Sequence, residues 1–403
     1  MKKLQQGFSG YGKPKEEDTM KLKGLKLKGK LTSGSLAMVV LVMVVSAIVV
    51  AIVINRQNRE TADRDLRKSI NIIREDLLTK EKKLLADSQQ LATIDQMGSK
   101  LDLIIGYKGN NDLAMVARNT CEEISSSIAQ IGFTSNLWKI AVFEQGGQLV
   151  SFASQKDQNT YLIGNYYQAP QPHFQCATLK QGTELNREAW KKADGFSDPF
   201  IKTQFGKQLP GKEMIVFQQV GDFVSLVSYA PIFGKSYNKK TQKMEKKQFG
   251  LVAAVHRLGA PFLKRMSRLT DMHINLFTSK GLSMGDLKEY KTLDSKALKP
   301  PQGTWSLADQ KVILNDLDLK DQGYFQGVLP LYNDSGLSGA IAALYSQDIV
   351  KANTWQMIQL LGLVYLACIL LIVPLALLFS NSLTTPVKKI IDILTPTPHT
   401  VAS

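Results

Sequence analysis

Met214-Ile-Val-Phe-Gln218, Asp222-Phe-Val-Ser-Leu-Val-Ser-Tyr-Ala-Pro231 and Phe249-Gly-Leu-Val-Ala-Ala-Val-His256 follow one another past the middle of the chain. Short runs rich in β-branched and aromatic residues read as strands, so these three predict an antiparallel meander. Residues 235–247, dense in charge, read as the tip of the hairpin joining the last two. Upstream, Trp138-Lys-Ile-Ala-Val-Phe143, the turn Glu144-Gln-Gly-Gly147 and Gln148-Leu-Val-Ser-Phe-Ala153 predict a hairpin. Between hairpin and meander, residues 154–212 show no clean period but hold Tyr161, Tyr166, Tyr167, His173, Phe174, Trp190, Phe196 and Phe200. A long aromatic stretch of this kind is expected to be a binding lid or a packed layer of loops.

Downstream the order repeats in shorter form. Residues 261–269 predict a connecting helix. His273-Ile-Asn-Leu-Phe277, the turn Thr278-Ser-Lys-Gly281 and Leu282-Ser-Met284 predict a second hairpin. Lys311-Val-Ile-Leu314, Gly323-Tyr-Phe-Gln-Gly-Val-Leu-Pro-Leu331 and Gly339-Ala-Ile-Ala-Ala-Leu-Tyr345 predict three further strands, with a turn at Tyr332-Asn-Asp-Ser-Gly336. The two halves share an order of elements and no evident sequence repeat.

Ahead of the strands, Leu66, Ile70, Ile73, Leu77, Leu84, Leu91 and Ile94 recur at heptad spacing, interrupted by Lys80 and Asp87. This seam predicts one long stalk helix over residues 60–97. The expectation is a helix that packs on its own domain and also pairs with a second subunit, making a homodimer. An ordinary core-facing helix would carry the same narrow stripe. A second helix is expected over residues 113–131, with Ala114, Ala117, Cys121, Ile124, Ile128 and Ile131 on one face.

Two apolar runs bracket these elements. Leu36-Ala-Met-Val-Val-Leu-Val-Met-Val-Val-Ser-Ala-Ile-Val-Val-Ala-Ile-Val-Ile54 has no charge between Lys30 and Arg56. Trp355-Gln-Met-Ile-Gln-Leu-Leu-Gly-Leu-Val-Tyr-Leu-Ala-Cys-Ile-Leu-Leu-Ile-Val-Pro-Leu-Ala-Leu-Leu-Phe379 has none between Lys351 and Lys388. Each reaches the roughly 20 residues a membrane helix needs. The first has a long apolar core and no small-x-small cleavage site before Arg56, so it reads as an uncleaved anchor. Residues 1–32 hold nine Lys against three acidic residues, and Lys388 and Lys389 follow the second run. Basic flanks of this kind predict both termini on the cytoplasmic side of a bacterial inner membrane, with residues 56–354 outside.

Of the formal net charge of +15, residues 1–32 supply +6 (nine minus three). Attraction to anionic membrane lipid accounts for that basic stretch. No aromatic pattern accompanies it, so nucleic acid is not an expected partner. The expected architecture is α+β: a long N-terminal stalk helix and two tandem antiparallel-sheet units between two transmembrane helices. Its parts are a basic terminus (1–32), a first span (33–55), stalk and packing helices (56–134), a membrane-distal sheet unit (135–259), a membrane-proximal one (260–350), a second span (355–379) and a tail (380–403).

Hairpin, irregular layer and three-strand meander is an order that resembles a PAS-like sheet. Taken with the flanking helices, residues 60–350 resemble a double-Cache sensor, the extracytoplasmic part of many bacterial histidine kinases and chemoreceptors. The stretches carrying this are Val227-Ser-Tyr-Ala-Pro-Ile-Phe233, Gln248-Phe-Gly-Leu-Val-Ala-Ala-Val255, Phe262-Leu-Lys-Arg-Met-Ser-Arg-Leu-Thr-Asp-Met-His-Ile-Asn-Leu-Phe277 and Gly281-Leu-Ser-Met-Gly-Asp-Leu-Lys-Glu-Tyr290. Leu383-Thr-Thr-Pro-Val-Lys-Lys-Ile-Ile391 resembles the opening of a HAMP linker. There a polar break at Ser380-Asn-Ser would be followed by a new helix, with Pro386 in its first turn.

The resemblance implies a small-molecule ligand bound outside, usually in the membrane-distal unit, and a displacement passed through the second span. The chain departs from the family at its end. The HAMP start runs into Thr395-Pro-Thr-Pro398, none of the four His lies in a phospho-acceptor context, and no ATP-binding box or methylated coiled coil follows. The expectation is either a truncated receptor or a sensor whose output comes from a separate kinase or chemotaxis protein.

No Gly-x-Ser-x-Gly, His-Glu-x-x-His, Walker or Cys-x-x-Cys pattern is present, so neither catalysis nor a cofactor is expected. Asp309, Asp316, Asp318 and Asp321 read as a solvated acidic loop in preference to a calcium site. For ligand binding, Tyr166, Tyr167 and Trp190 are candidates to wall a pocket and Tyr229 lies on its central strand. Arg257, at the end of the next strand, is a candidate to grip a carboxylate with two parallel hydrogen bonds. The four aromatic candidates also read as packing over a sheet, and His256 reads as structural. The ligand motif of amino-acid-binding double-Cache sensors cannot be matched, so no ligand class follows. Cys121 and Cys176 lie where a disulfide is permitted, and the sequence leaves their pairing open. The alternative reading is a non-catalytic structural or partner-binding membrane subunit whose Cache units are empty.

Overall fold

The computed structural model describes residues 27–394 except 170, 207, 239–240, 294–297, 299–305 and 335. Residues 1–26 of the basic N-terminal stretch and Thr395-Pro-Thr-Pro398 therefore lie outside the described residues. The chain divides into two compact units, one of Met1–Arg59 with Ile349–Ser403, the other of Glu60–Asp348.

Two antiparallel sheets form the second unit. The first contains β1 (Lys139–Glu144), β2 (Leu149–Asp157), β3 (Thr160–Ala169), β4 (Gln171–Lys180), β5 (Lys191–Lys192), β6 (Met214–Val220), β7 (Phe223–Asn238) and β8 (Lys243–Arg257). Its order is β5-β4-β3-β2-β1-β8-β7-β6. The second contains β9 (His273–Thr278), β10 (Gly281–Gly285), β11 (Ile313–Leu319), β12 (Gln322–Asn333) and β13 (Gly336–Ser346), in the order β10-β9-β13-β12-β11. In each, the first hairpin strand pairs with the last strand of the meander: β1 with β8, β9 with β13. The two halves thus repeat one topology, as their order of elements predicts.

The stretch expected to be irregular is not so throughout. Residues 160–180 form β3 and β4, which extend the first sheet beyond β2. Gly164, Pro172 and scattered polar residues interrupt the apolar runs of these strands and remove the sequence signal, although the end of β4 alternates, with Ala177 and Leu179 buried and Thr178 and Lys180 exposed. On one face Tyr161 is fully buried against Gly132 and Phe133 and donates a hydrogen bond to the Leu137 carbonyl. On the other, Tyr166 and its cross-strand partner Phe174 join an aromatic cluster.

The helices are α1 (Leu27–Thr93), α2 (Met97–Gly106), α3 (Ala114–Ser135), α4 (Ala260–Thr270) and α5 (Gln347–Leu394). The expected face of α3 is buried from Ala117 through Ile131. Leu66, Ile70, Ile73, Leu77, Leu84 and Leu91 of α1 are at most 2% exposed. Leu66 and Ile70 pack where Gly327 of β12 leaves room, and Gln89 bonds to Glu213 just ahead of β6. The heptad stripe is thus occupied within one chain. A second copy pairing along residues 60–91 has only the other faces of α1 to use.

In the other unit, two helical segments are long and apolar enough to cross a membrane. Tyr365 bonds to Ser46 at 2.9 Å and Asn58 to Thr354 at 2.7 Å, tying the segments together. Met38, Leu41, Leu363 and Leu370 are each more than 60% exposed, an apolar surface suited to lipid. No break occurs at residues 380–385: α5 continues through Pro374 and Pro386 to Leu394. One proline removes one ladder bond, which a long helix absorbs without ending. The stretch resembling a HAMP start is here the last part of α5.

Candidate functional site

The segment between β5 and β6 lies over one face of the first sheet. Phe152 stacks on Phe174 at 5.9 Å and on Phe196 at 4.2 Å, while Phe205 packs against Phe143 and Tyr229. Lys139 of β1 pairs with Asp198, their side chains 6% and 9% exposed. The other Asp198 oxygen accepts from the backbone N–H groups of Phe200 (2.8 Å) and Ile201 (3.0 Å), which fixes the segment's turn. This layer is filled by the chain's own side chains.

The five candidate residues do not converge. Tyr229 sits under the layer, its hydroxyl donating to Gln218 and its ionisation pushed up to about 12 by burial. Tyr166 faces the same cluster, whereas Tyr167 stacks on His173 at 5.1 Å. The space beside these two tyrosines is about 20 Å³, room for about one water. Trp190 is half-buried in the turn before β5. Arg257 lies elsewhere, at the end of β8.

There a cleft of about 480 Å³ opens, within the size range of small-molecule sites. It is lined by Lys80 of α1, Trp138, Lys156 and Asp157 at the end of β2, His256 and Arg257 of β8, and Arg265 with the first turn of α4. The Arg257 guanidinium rests 4.9 Å from the ring centres of both Trp138 and Phe223. Arg265 is held by Asp76 of α1. Sequence reasoning missed Lys156, Arg265 and Trp138, which carry no local signal. Lys80 did leave one, as a cation interrupting the apolar stripe.

Lys80 Nζ lies 3.3 Å from His256 Nε2. An ammonium only donates, so Nε2 accepts and the ring proton sits on Nδ1. Burial first, then Lys80 and Lys83, push His256 down from 6.5 to about 4. The unfolded chain therefore takes up a proton that the folded chain refuses between these values. Stability should fall as pH drops from 6.5 towards 4, by about 3 kcal/mol from this residue. Denaturation midpoints across pH 4–8 should show the slope, and His256→Gln should flatten it; an unchanged slope would refute the assignment.

Cys121 and Cys176 are both free thiols; Cys121 is buried, and burial pushes Cys176 up to about 11. Among the described residues no group of His, Cys, Asp or Glu is placed to hold a metal, and Asp316 and Asp318 lie exposed on β11.

No protein-family model and no curated protein matches the chain. Solved structures do. One is a domain of a sensory box/GGDEF family protein from Vibrio parahaemolyticus (9% identity, 73% of this chain, 99% of that one, TM-score 0.39). Another is the sensor domain of the histidine kinase DctB of V. cholerae (9% identity, 72% and 98%, TM-score 0.36). A third is the sensory domain of the Campylobacter jejuni chemoreceptor Tlp3 (10% identity, 74% and 98%, TM-score 0.35). The chain is similar to the sensory domains of histidine kinases and chemoreceptors. The likeness covers most of the chain, is one of fold, and decides nothing about a ligand.

Proposed function

We propose that the chain is a membrane-anchored sensor of the double-Cache kind that takes up a small molecule outside the bacterial cytoplasmic membrane and signals through α5. The observation that carries this is the open cleft at the end of β8. It touches α1, the first sheet and α4 at once, so an occupant changes contacts on several elements together. The basic flanks of both apolar runs support cytoplasmic termini. A homodimer and a separate kinase or chemotaxis protein as output belong to the same reading. Full-length protein in detergent should be stabilised saturably by at least one compound in a panel of carboxylates, amino acids and amines, by about 3 kcal/mol at a hundredfold excess over Kd. Identical melting against the whole panel would overturn the proposal.

One observation favours a second reading, a partner-binding subunit without a ligand: the layer over the first sheet is already filled by Phe196, Phe200 and Phe205. Cross-linking to one membrane protein, unaltered by every compound in the panel, is what that reading requires.

A further inference from the structure

Resting on the sensor reading, the side chains around the cleft add the chemical class of its occupant. We infer that the cleft binds a small anion carrying at least two negative charges, as carboxylate or phosphate groups. Its lining includes the cations Lys80, Lys156, Arg257 and Arg265, and Asp157 is the one acid among the lining residues. Arg265 is already matched by Asp76. Among the described residues, Lys80, Lys156 and Arg257 have no carboxylate partner, and the guanidinium of Arg257 makes no hydrogen bond. Its packing against Trp138 and Phe223 fixes the plane of the fork and leaves its N–H donors unengaged. A fork held in this way is preorganised for a planar carboxylate or a phosphate.

Lys80 is half-buried on the apolar stripe of α1, and burial lowers the pKa of both Lys80 and Arg257. Lys80 has thus lost water without gaining a counter-charge, a cost that an anion would repay, and Arg257, exposed to solvent, is free to meet one. Gly259, the N-cap of α4, has no side-chain cap bond, and the following turn lines the same space. The positive end of that helix adds to the field. Three unmatched cations against one acid leave a surplus of two (three minus one), which a single carboxylate does not neutralise. A neutral or cationic ligand would leave the whole surplus in place.

The test is calorimetric titration of full-length protein in detergent, at fixed ionic strength, with citrate, succinate, inorganic phosphate, acetate and erythritol. Citrate and succinate, or phosphate, should bind saturably and at least about tenfold tighter than acetate, and erythritol should not bind. Which arm binds distinguishes carboxylate from phosphate. Arg257→Gln and Lys156→Glu should each weaken binding by about tenfold or more. Lys156 is exposed, so its variant still decides the matter if the other fails to fold. Absence of saturable polyanion binding, or binding unchanged in Lys156→Glu, overturns the inference. A neutral or cationic compound that stabilises the protein where polyanions fail overturns the class alone and leaves the sensor reading standing; if nothing binds, both fall.

Discussion

Asp198→Ala is expected to destabilise the two-sheet unit by about 3–5 kcal/mol, the usual cost of removing one member of a buried ion pair. The substitution leaves the Lys139 ammonium in a site where its side chain is only 6% exposed. It also removes the acceptor of the Phe200 and Ile201 N–H groups, so the segment over the sheet loses its anchor. Asp198→Asn retains an acceptor for those groups and should lose less. Lys139→Met combined with Asp198→Asn should recover part of the loss, because no unpaired charge then remains. Urea denaturation of the three variants in detergent measures the series. Equal losses below about 1 kcal/mol would mean that the pair is solvated and does not hold the layer in place.

Leu77→Ala should cost about 2–5 kcal/mol, the range for deleting a packed leucine. Leu77 is fully buried on the α1 stripe. The informative quantity is the concentration dependence. A seam closed within one chain gives a loss that is the same at every protein concentration. A seam closed between two chains makes the midpoint rise with concentration in the parent protein and less so in the variant. Denaturation over a hundredfold range of concentration separates the two, and a rising midpoint lost in Leu77→Ala would contradict the intramolecular packing described above.

Elements with one covered face were legible from residue order. The α1 stripe and the α3 face each bury one side, which writes a period of 3.6 into the chain, whereas the hairpin–meander strands were legible as short β-branched and aromatic runs, buried at successive residues in β1, β8 and β12. Both apolar runs were legible for the same kind of reason, since lipid selects composition over a fixed length. The pair β3 and β4 was not, because Gly164, Pro172 and scattered polar residues interrupt both runs. Short α2 was not either: it follows Asp95 and Gln96 at φ 47° and 57°, a left-handed break with no glycine to announce it.

The lining of the cleft was the least legible part. Of the five residues proposed from the sequence, four are placed away from the cleft, and Arg257 alone lines it. Its companions stand at positions 80, 156 and 265, on three other parts of the fold. Residue order therefore determined the kinds of element, their repeat and the apolar runs, because those follow from local periodicity and composition. Only the tertiary structure decided that one end of β8 meets the middle of α1 and the start of α4. That meeting is set by the register of β1 on β8 and by which stripe of α1 is buried, and long-range packing of this kind leaves no local pattern in the chain.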